Sequence, residues 1–115
     1  MRLSILIALA LAGATWSVAA SSQVRPQPSG GDARLQSVAY REDQIVTLEL
    51  APGYQMSLAF APDETIESVA VGDAGAWTVV PTKRGNHLFL KLQAEGVSTN
   101  MTVVTGIRTY LFDLQ

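Results

Sequence analysis

Hydrophobic and polar residues alternate along most of this chain with a period of two. Val46, Leu48 and Leu50 alternate with Thr47 and Glu49, and Tyr54, Met56, Leu58 and Phe60 with Gln55, Ser57 and Ala59. Leu88, Leu90 and Leu92 alternate with Phe89, Lys91 and Gln93, and Tyr110, Phe112 and Leu114 with Leu111 and Asp113. Residues two apart share one face of a strand, so each run predicts a strand with one buried and one wetter face. Ile66 to Val71, Trp77 to Val80 and Met101 to Thr105 are shorter runs rich in β-branched residues and predict further strands. Turn signals separate them: Pro52-Gly53, Ala61-Pro62-Asp63-Glu64, Gly72-Asp73, Lys83-Arg84-Gly85-Asn86 and Glu95-Gly96. No stretch beyond residue 31 holds a helical period. The expected fold is therefore all-β, a small β-sandwich or open barrel of about seven to eight strands.

The first thirty-one residues read differently. Arg2 followed by the apolar run Leu3 to Ala14 and the small residues Val18-Ala19-Ala20 is the pattern of a cleavable signal peptide, too short for a spanning helix. Cleavage is expected after Ala20, with Ala19 as the alternative, placing the product in the periplasm. Ser21 to Gly31 is polar, rich in Pro, Gly and Ser, and without period; it is expected to be a flexible leader. About 95 residues remain after cleavage, enough for one small domain, and residues 32–115 are assigned to it.

Composition narrows the chemistry. The chain has no cysteine, which excludes disulfides, thiol catalysis and thiolate metal sites. The formal net charge is −2, and the basic residues are scattered apart from the Lys83-Arg84 pair, so direct nucleic-acid binding has no electrostatic footprint. His87 is the only histidine. It follows a turn and opens a strand on the wetter face, with no nucleophile elbow or comparable signature to give it catalytic partners. The carboxylates Glu42-Asp43 and Asp63-Glu64-Glu67 sit in or beside turns and read as solvated loop charge. They do not have the oxygen spacing of a calcium loop. The glycines of Val71-Gly72-Asp73-Ala74-Gly75 precede no helix and read as a turn, not as a phosphate cradle. Asn100-Met101-Thr102 matches a glycosylation sequon by chance. Trp77 begins a strand after the Gly72-Asp73 turn and is expected to be buried, as an anchor of the core or of an interface. No catalytic residue, cofactor or metal ligand is assigned.

Several segments taken in order carry a resemblance. Ala51-Pro52-Gly53-Tyr54 leads to Phe60-Ala61-Pro62-Asp63-Glu64. Then come Ile66-Glu67-Ser68-Val69-Ala70-Val71-Gly72-Asp73, Trp77 with Val79, and Leu88-Phe89-Leu90-Lys91. Thr99-Asn100-Met101-Thr102-Val103-Val104-Thr105, Arg108 and Tyr110-Leu111-Phe112 complete the run. Together these resemble the N-terminal region of the TrbG/CagX family, which includes the ninth protein of the VirB operon. The combination is more specific than any piece: Gly-Asp…Trp, then Thr-Asn-apolar-Thr-Val, then Arg-x-Tyr.

The resemblance implies a β-sandwich in a structural, non-enzymatic subunit of the periplasmic core complex of a type IV secretion or conjugative transfer channel. Its implied partners are copies of itself or full-length homologues in a ring, and a scaffold subunit similar to the tenth VirB protein. Gly72, Asp73, Trp77, Asn100 and Tyr110 are the structural positions it singles out, and the exposed pair Lys83 and Arg84 is the candidate contact. Two departures limit the transfer. Leu92 stands where family members often have a proline after the lysine. The sequence also stops at Gln115, before the second domain that in the family holds a small lipoprotein, so lipoprotein contact is not carried over. A fragment, a truncated product and a stand-alone paralogue are all compatible with that ending. A different class is a binding module like the N-terminal domain of a secretin-like pilus assembly protein, which also carries a Val-Gly-Asp strand end. A third is a small periplasmic hydrolase or sugar binder, which would show a concave site with converging polar groups.

Overall fold

The computed structural model describes residues 23–115, and the expected signal peptide lies outside them. The described residues form ten strands and no helix. In chain order these are β1 (Gln23–Val24), β2 (Gln27–Pro28), β3 (Gln36–Ser37), β4 (Ile45–Leu48), β5 (Gln55–Ala59), β6 (Ile66–Val71), β7 (Trp77–Pro81), β8 (His87–Leu92), β9 (Thr99–Thr105) and β10 (Thr109–Leu114). A five-stranded sheet has the order β1-β4-β10-β9-β6, a three-stranded sheet the order β5-β8-β7, and β2 pairs with β3 alone. The described residues are all-β, as the period of two implies.

The chain crosses between the two larger sheets at the turns the punctuation marks. From β4 to β5 it turns at Ala51-Pro52-Gly53-Tyr54, closed by a bond from the Tyr54 amide to the Ala51 carbonyl (3.1 Å). Gly53 has φ +84°, which Gly supplies without steric cost at the third position of a Pro-Gly turn. The next turn, Ala61 to Glu64, leads from β5 to β6 and closes by a bond from the Glu64 amide to Ala61 (3.0 Å). The β7–β8 and β9–β10 connections are antiparallel hairpins within one sheet.

The core lies between the sheets. The five-stranded sheet contributes Val46, Leu48, Met101, Val103, Phe112 and Leu114, and the other contributes Trp77, Leu88, Leu90 and Leu92. Each of these sets steps by two along its strand, so one face is inside and the other outside. Burying a large side chain of this kind stabilises by about 1.5–3 kcal/mol.

Two readings change. Tyr54, expected to share the buried face with Met56 and Leu58, is 73 % exposed; β5 starts one residue later, and Tyr54 belongs to the turn. The segment 21–31, expected as a flexible leader, contributes β1 and β2 within its described part. Gln23 and Val24 pair in parallel with Ile45 and Val46, and Gln27 and Pro28 pair with Ser37 and Gln36. These ladders use backbone groups and need no apolar period, which is why composition did not reveal them.

Candidate interaction site

Three clusters bring the singled-out residues into structural roles. The first joins the end of β6 to the start of β9. The Gly72 amide donates to the Asn100 carbonyl (2.9 Å). A Cβ on Gly72 would lie 2.6 Å from Thr99 Oγ1 and 2.7 Å from Asn100 Oδ1, so any side chain here would force both groups out of their places. Asp73 Oδ1 accepts the amides of Gly75 (3.2 Å) and Ala76 (3.1 Å), an Asx-type cap that turns the chain from one sheet to the other. Trp77 follows at once and is 1 % exposed. Gly72, Asp73, Trp77 and Asn100 thus form one corner of the sandwich.

The second cluster closes the opposite end of the core and corrects the reading of Glu64 as solvated loop charge. Glu64 is 2 % exposed. The Tyr110 hydroxyl donates to its carboxylate, 2.7 and 2.6 Å from the two oxygens. The Thr105 hydroxyl donates to Oε1 (3.0 Å), the Ala61 amide to Oε2 (3.0 Å), and the Arg108 guanidinium lies 3.5 Å from Oε2. Burial pushes the Glu64 carboxyl up, but the hydrogen bonds from Tyr110, Ala61 and Thr105 and the Arg108 charge outweigh it and hold the group below its ordinary value. Burial, then the bond to the carboxylate, pushes the Tyr110 phenol up. The Tyr110 ring packs edge-on against Tyr40 (5.0 Å) and Phe60 (4.7 Å), and Arg108 stacks over Tyr40 at 5.3 Å. Thr105 also accepts the Arg108 amide (3.0 Å), shaping the β9–β10 turn. With both Glu64 oxygens engaged inside the fold, the group caps the core.

The third cluster is the β7–β8 turn. Lys83 and Arg84 are exposed at its tip. The Gly85 carbonyl accepts the Ile66 amide (2.6 Å), and Asn86 Oδ1 is 2.8 Å from His87 Nδ1. His87 is half-buried. No group of acids and histidines able to hold a metal occurs among the described residues.

The surface offers contact area. Phe89 (43 % exposed) and Val80 (50 %), cross-strand partners, form an apolar patch flanked by Gln55, Thr78 and Lys91 on the outside of the three-stranded sheet. A second feature is a groove between β6 and β7, the two strands at which the larger sheets end on this side. It is walled by Ile66, Glu67, Val69, Val71 and Val79, and Trp77 lines it.

Comparison with known proteins agrees with this architecture. A family model described as conjugal transfer protein, CagX, matches residues 33–115. "Protein virB9" of Rhizobium radiobacter is 33 % identical over 115 residues, covering 93 % of this chain and 38 % of its own length. The "Type IV secretion system protein PtlF" of Bordetella pertussis is 34 % identical over 102 residues, 77 % of this chain and 37 % of the relative. "Type IV secretion system protein virB9" of Brucella abortus biovar 1 is 32 % identical over 117 residues, 86 % and 40 % respectively. The chain therefore spans about two-fifths of the length of the relatives it matches. The matched span contains the Gly72–Asp73–Trp77 corner, the Glu64–Tyr110 cap and every strand of the core, and on that match the chain belongs to the CagX family of conjugal transfer proteins.

Proposed function

We propose that this chain is a structural, non-enzymatic subunit of a type IV secretion or conjugative transfer complex in the cell envelope. The observation that carries the reading is the family match over residues 33–115, joined by secretion proteins at about one-third identity. The geometry supports it. Glu64, Tyr110, Thr105 and Asp73 are engaged in capping and cornering the sandwich, whereas Val80, Phe89 and Leu111 stand exposed on outer sheet faces. Large apolar side chains on an outer sheet face suit contact with other proteins.

In this reading the chain works in the periplasm after cleavage near Ala20. It packs beside copies of itself or full-length homologues in a ring and against a scaffold subunit similar to the tenth VirB protein. Lys83, Arg84 and Asn86, presented on the β7–β8 turn, are proposed contacts. The test is co-fractionation. An epitope-tagged chain produced in cells carrying a complete secretion apparatus should co-purify with the envelope complex, and its intact mass should show loss of the first nineteen or twenty residues. Recovery only as a free periplasmic monomer, while a full-length homologue enters the complex, would overturn the subunit role.

A further inference from the structure

The two larger sheets leave two seams, and they are treated differently. At the β4/β5 seam the N-terminal arm lies along the opening. Arg25, Pro26, Gln27 and Pro28 line it together with Thr47, Leu48, Glu49 and Met56. Arg25 pairs with Glu49, and β1 continues the sheet beside β4. At the β6/β7 seam no segment among the described residues lies over the groove. Its walls repeat the chemistry of the first seam: an exposed acid, Glu67, beside the aliphatic residues Val69, Val71 and Val79. Trp77 lines it, and its buried Nε1–H has no hydrogen-bond acceptor among the described residues. A buried donor left unpaired is costly, so an acceptor brought within its reach would be stabilising.

We propose that the β6/β7 groove is an assembly site that takes the Gln23–Pro28 arm of a second copy of this chain. This rests on the reading of the chain as a subunit packed beside its own copies. The arm has the chemistry the groove asks for. Arg25-Pro26-Gln27-Pro28 is an extended, proline-stiffened segment with one cation and no acid. Such segments are recognised in aromatic-lined grooves, where their carbonyls accept hydrogen bonds and little chain entropy is lost. Arg25 can exchange its exposed Glu49 for Glu67.

The arm is also releasable. Its ladder to β4 is two residues long, its pairing with β3 is two more, and an ion pair exposed to water on both sides contributes little. Pro26 and Pro28 have no N–H, so every second residue is unable to donate. The arm can therefore cap one strand edge but cannot bridge two, and it serves either its own β4 or a neighbour's β6. The geometry of the exchange follows from strand order. The arm lies at one end of the five-stranded sheet and the groove at the other. An arm-to-groove contact is accordingly head-to-tail, the class that generates rings or open filaments instead of closed pairs.

The chain has no native cysteine, so disulfide trapping reads the contact directly. Gln27→Cys combined with Ser68→Cys, oxidised in cells producing the whole secretion apparatus, should give a ladder extending beyond dimers on a non-reducing denaturing gel. Either substitution alone should give none beyond the dimer. Arg25→Cys with Glu49→Cys, the resting position of the arm, should cross-link within one chain. Trp77 is the sole tryptophan after residue 22, and its emission should shift as the purified mature chain is concentrated. Deleting Gln23 to Pro28 should abolish that shift. Cross-linking only within one chain, or trapping of the Ser68→Cys variant on a different envelope protein, overturns the assignment of the arm. So does co-fractionation with the secretion complex without a ladder, which leaves the subunit reading standing. A ladder without co-fractionation does the reverse, supporting the contact and sinking the subunit role.

Discussion

Tyr110 and Glu64 come together from positions forty-six residues apart, and the pair shows how one buried charge is kept tolerable. An ionised carboxylate inside a sandwich is acceptable only when several donors meet it, and here Tyr110, Thr105, the Ala61 amide and Arg108 do so. Tyr110→Phe removes one donor and keeps the ring packing on Tyr40 and Phe60, so it should cost about 1–3 kcal/mol, read from the denaturant midpoint. The pH dependence follows from the direction of the shift. The folded-state value of Glu64 lies below its ordinary 4.5, so the stability it contributes is present above about pH 4.5 and is lost as pH falls through the folded value. The melting temperature should hold from neutrality to about that pH and then drop. Glu64→Gln should be less stable at neutrality and show a shallower acid limb. Nothing in the local sequence marks Glu64 apart from Asp63: both follow Pro62 in a turn. What separates them is that the turn closes over the end of the core, where Thr105 and Tyr110 lie on the inward parity of β9 and β10.

At the scale of elements, the turns carry the most specific information. Pro52-Gly53 and Gly72-Asp73 are legible because φ, a missing side chain and an Asx cap are demands that few residue types satisfy. The roles of these two glycines differ. Gly53 supplies a positive φ, whereas Gly72 supplies room for β9. Gly72→Ala should therefore cost about 1–3 kcal/mol by crowding Thr99 and Asn100. Gly75→Ala, three residues on, would meet only Asp73 Oδ1 at 3.5 Å and should stay within about 0.5 kcal/mol of the parent. Comparing the two urea midpoints checks whether close strand approach or a general dislike of side chains in this turn is responsible. The two-residue strands β1, β2 and β3 were not legible. β1 pairs with β4 some twenty residues on, β2 and β3 pair only with each other, and their side chains are mostly exposed and carry no apolar pattern.

For the whole molecule, stability rests on the buried apolar side chains drawn from two sheets, ten among the described residues, without disulfides. Trp77 is the largest of them and sits where the chain passes from one sheet to the other. Trp77→Ala should cost about 3–5 kcal/mol, a large share of the ~5–15 kcal/mol typical of a domain. In a domain of this size the melting temperature should fall by about 15 °C or more. A melting temperature within a few degrees of the parent would mean that Trp77 contributes little to the core and that its burial depends on the groove alone.

The period of two by itself determined that the described chain is all-β, which side chains face inward in β8 and β10, and where the chain turns, because alternation and turn chemistry are local consequences of backbone geometry. The order of motifs from Ala51 to Phe112 also carried the family. Tertiary structure alone decided the rest. It set β4 parallel to β10, it buried Glu64 while leaving Asp63 in water, and it laid the N-terminal arm over one seam and left a groove at the other. Each of these depends on contacts between residues far apart in the chain. A hydrogen bond across such a distance leaves no periodic trace in either segment that makes it.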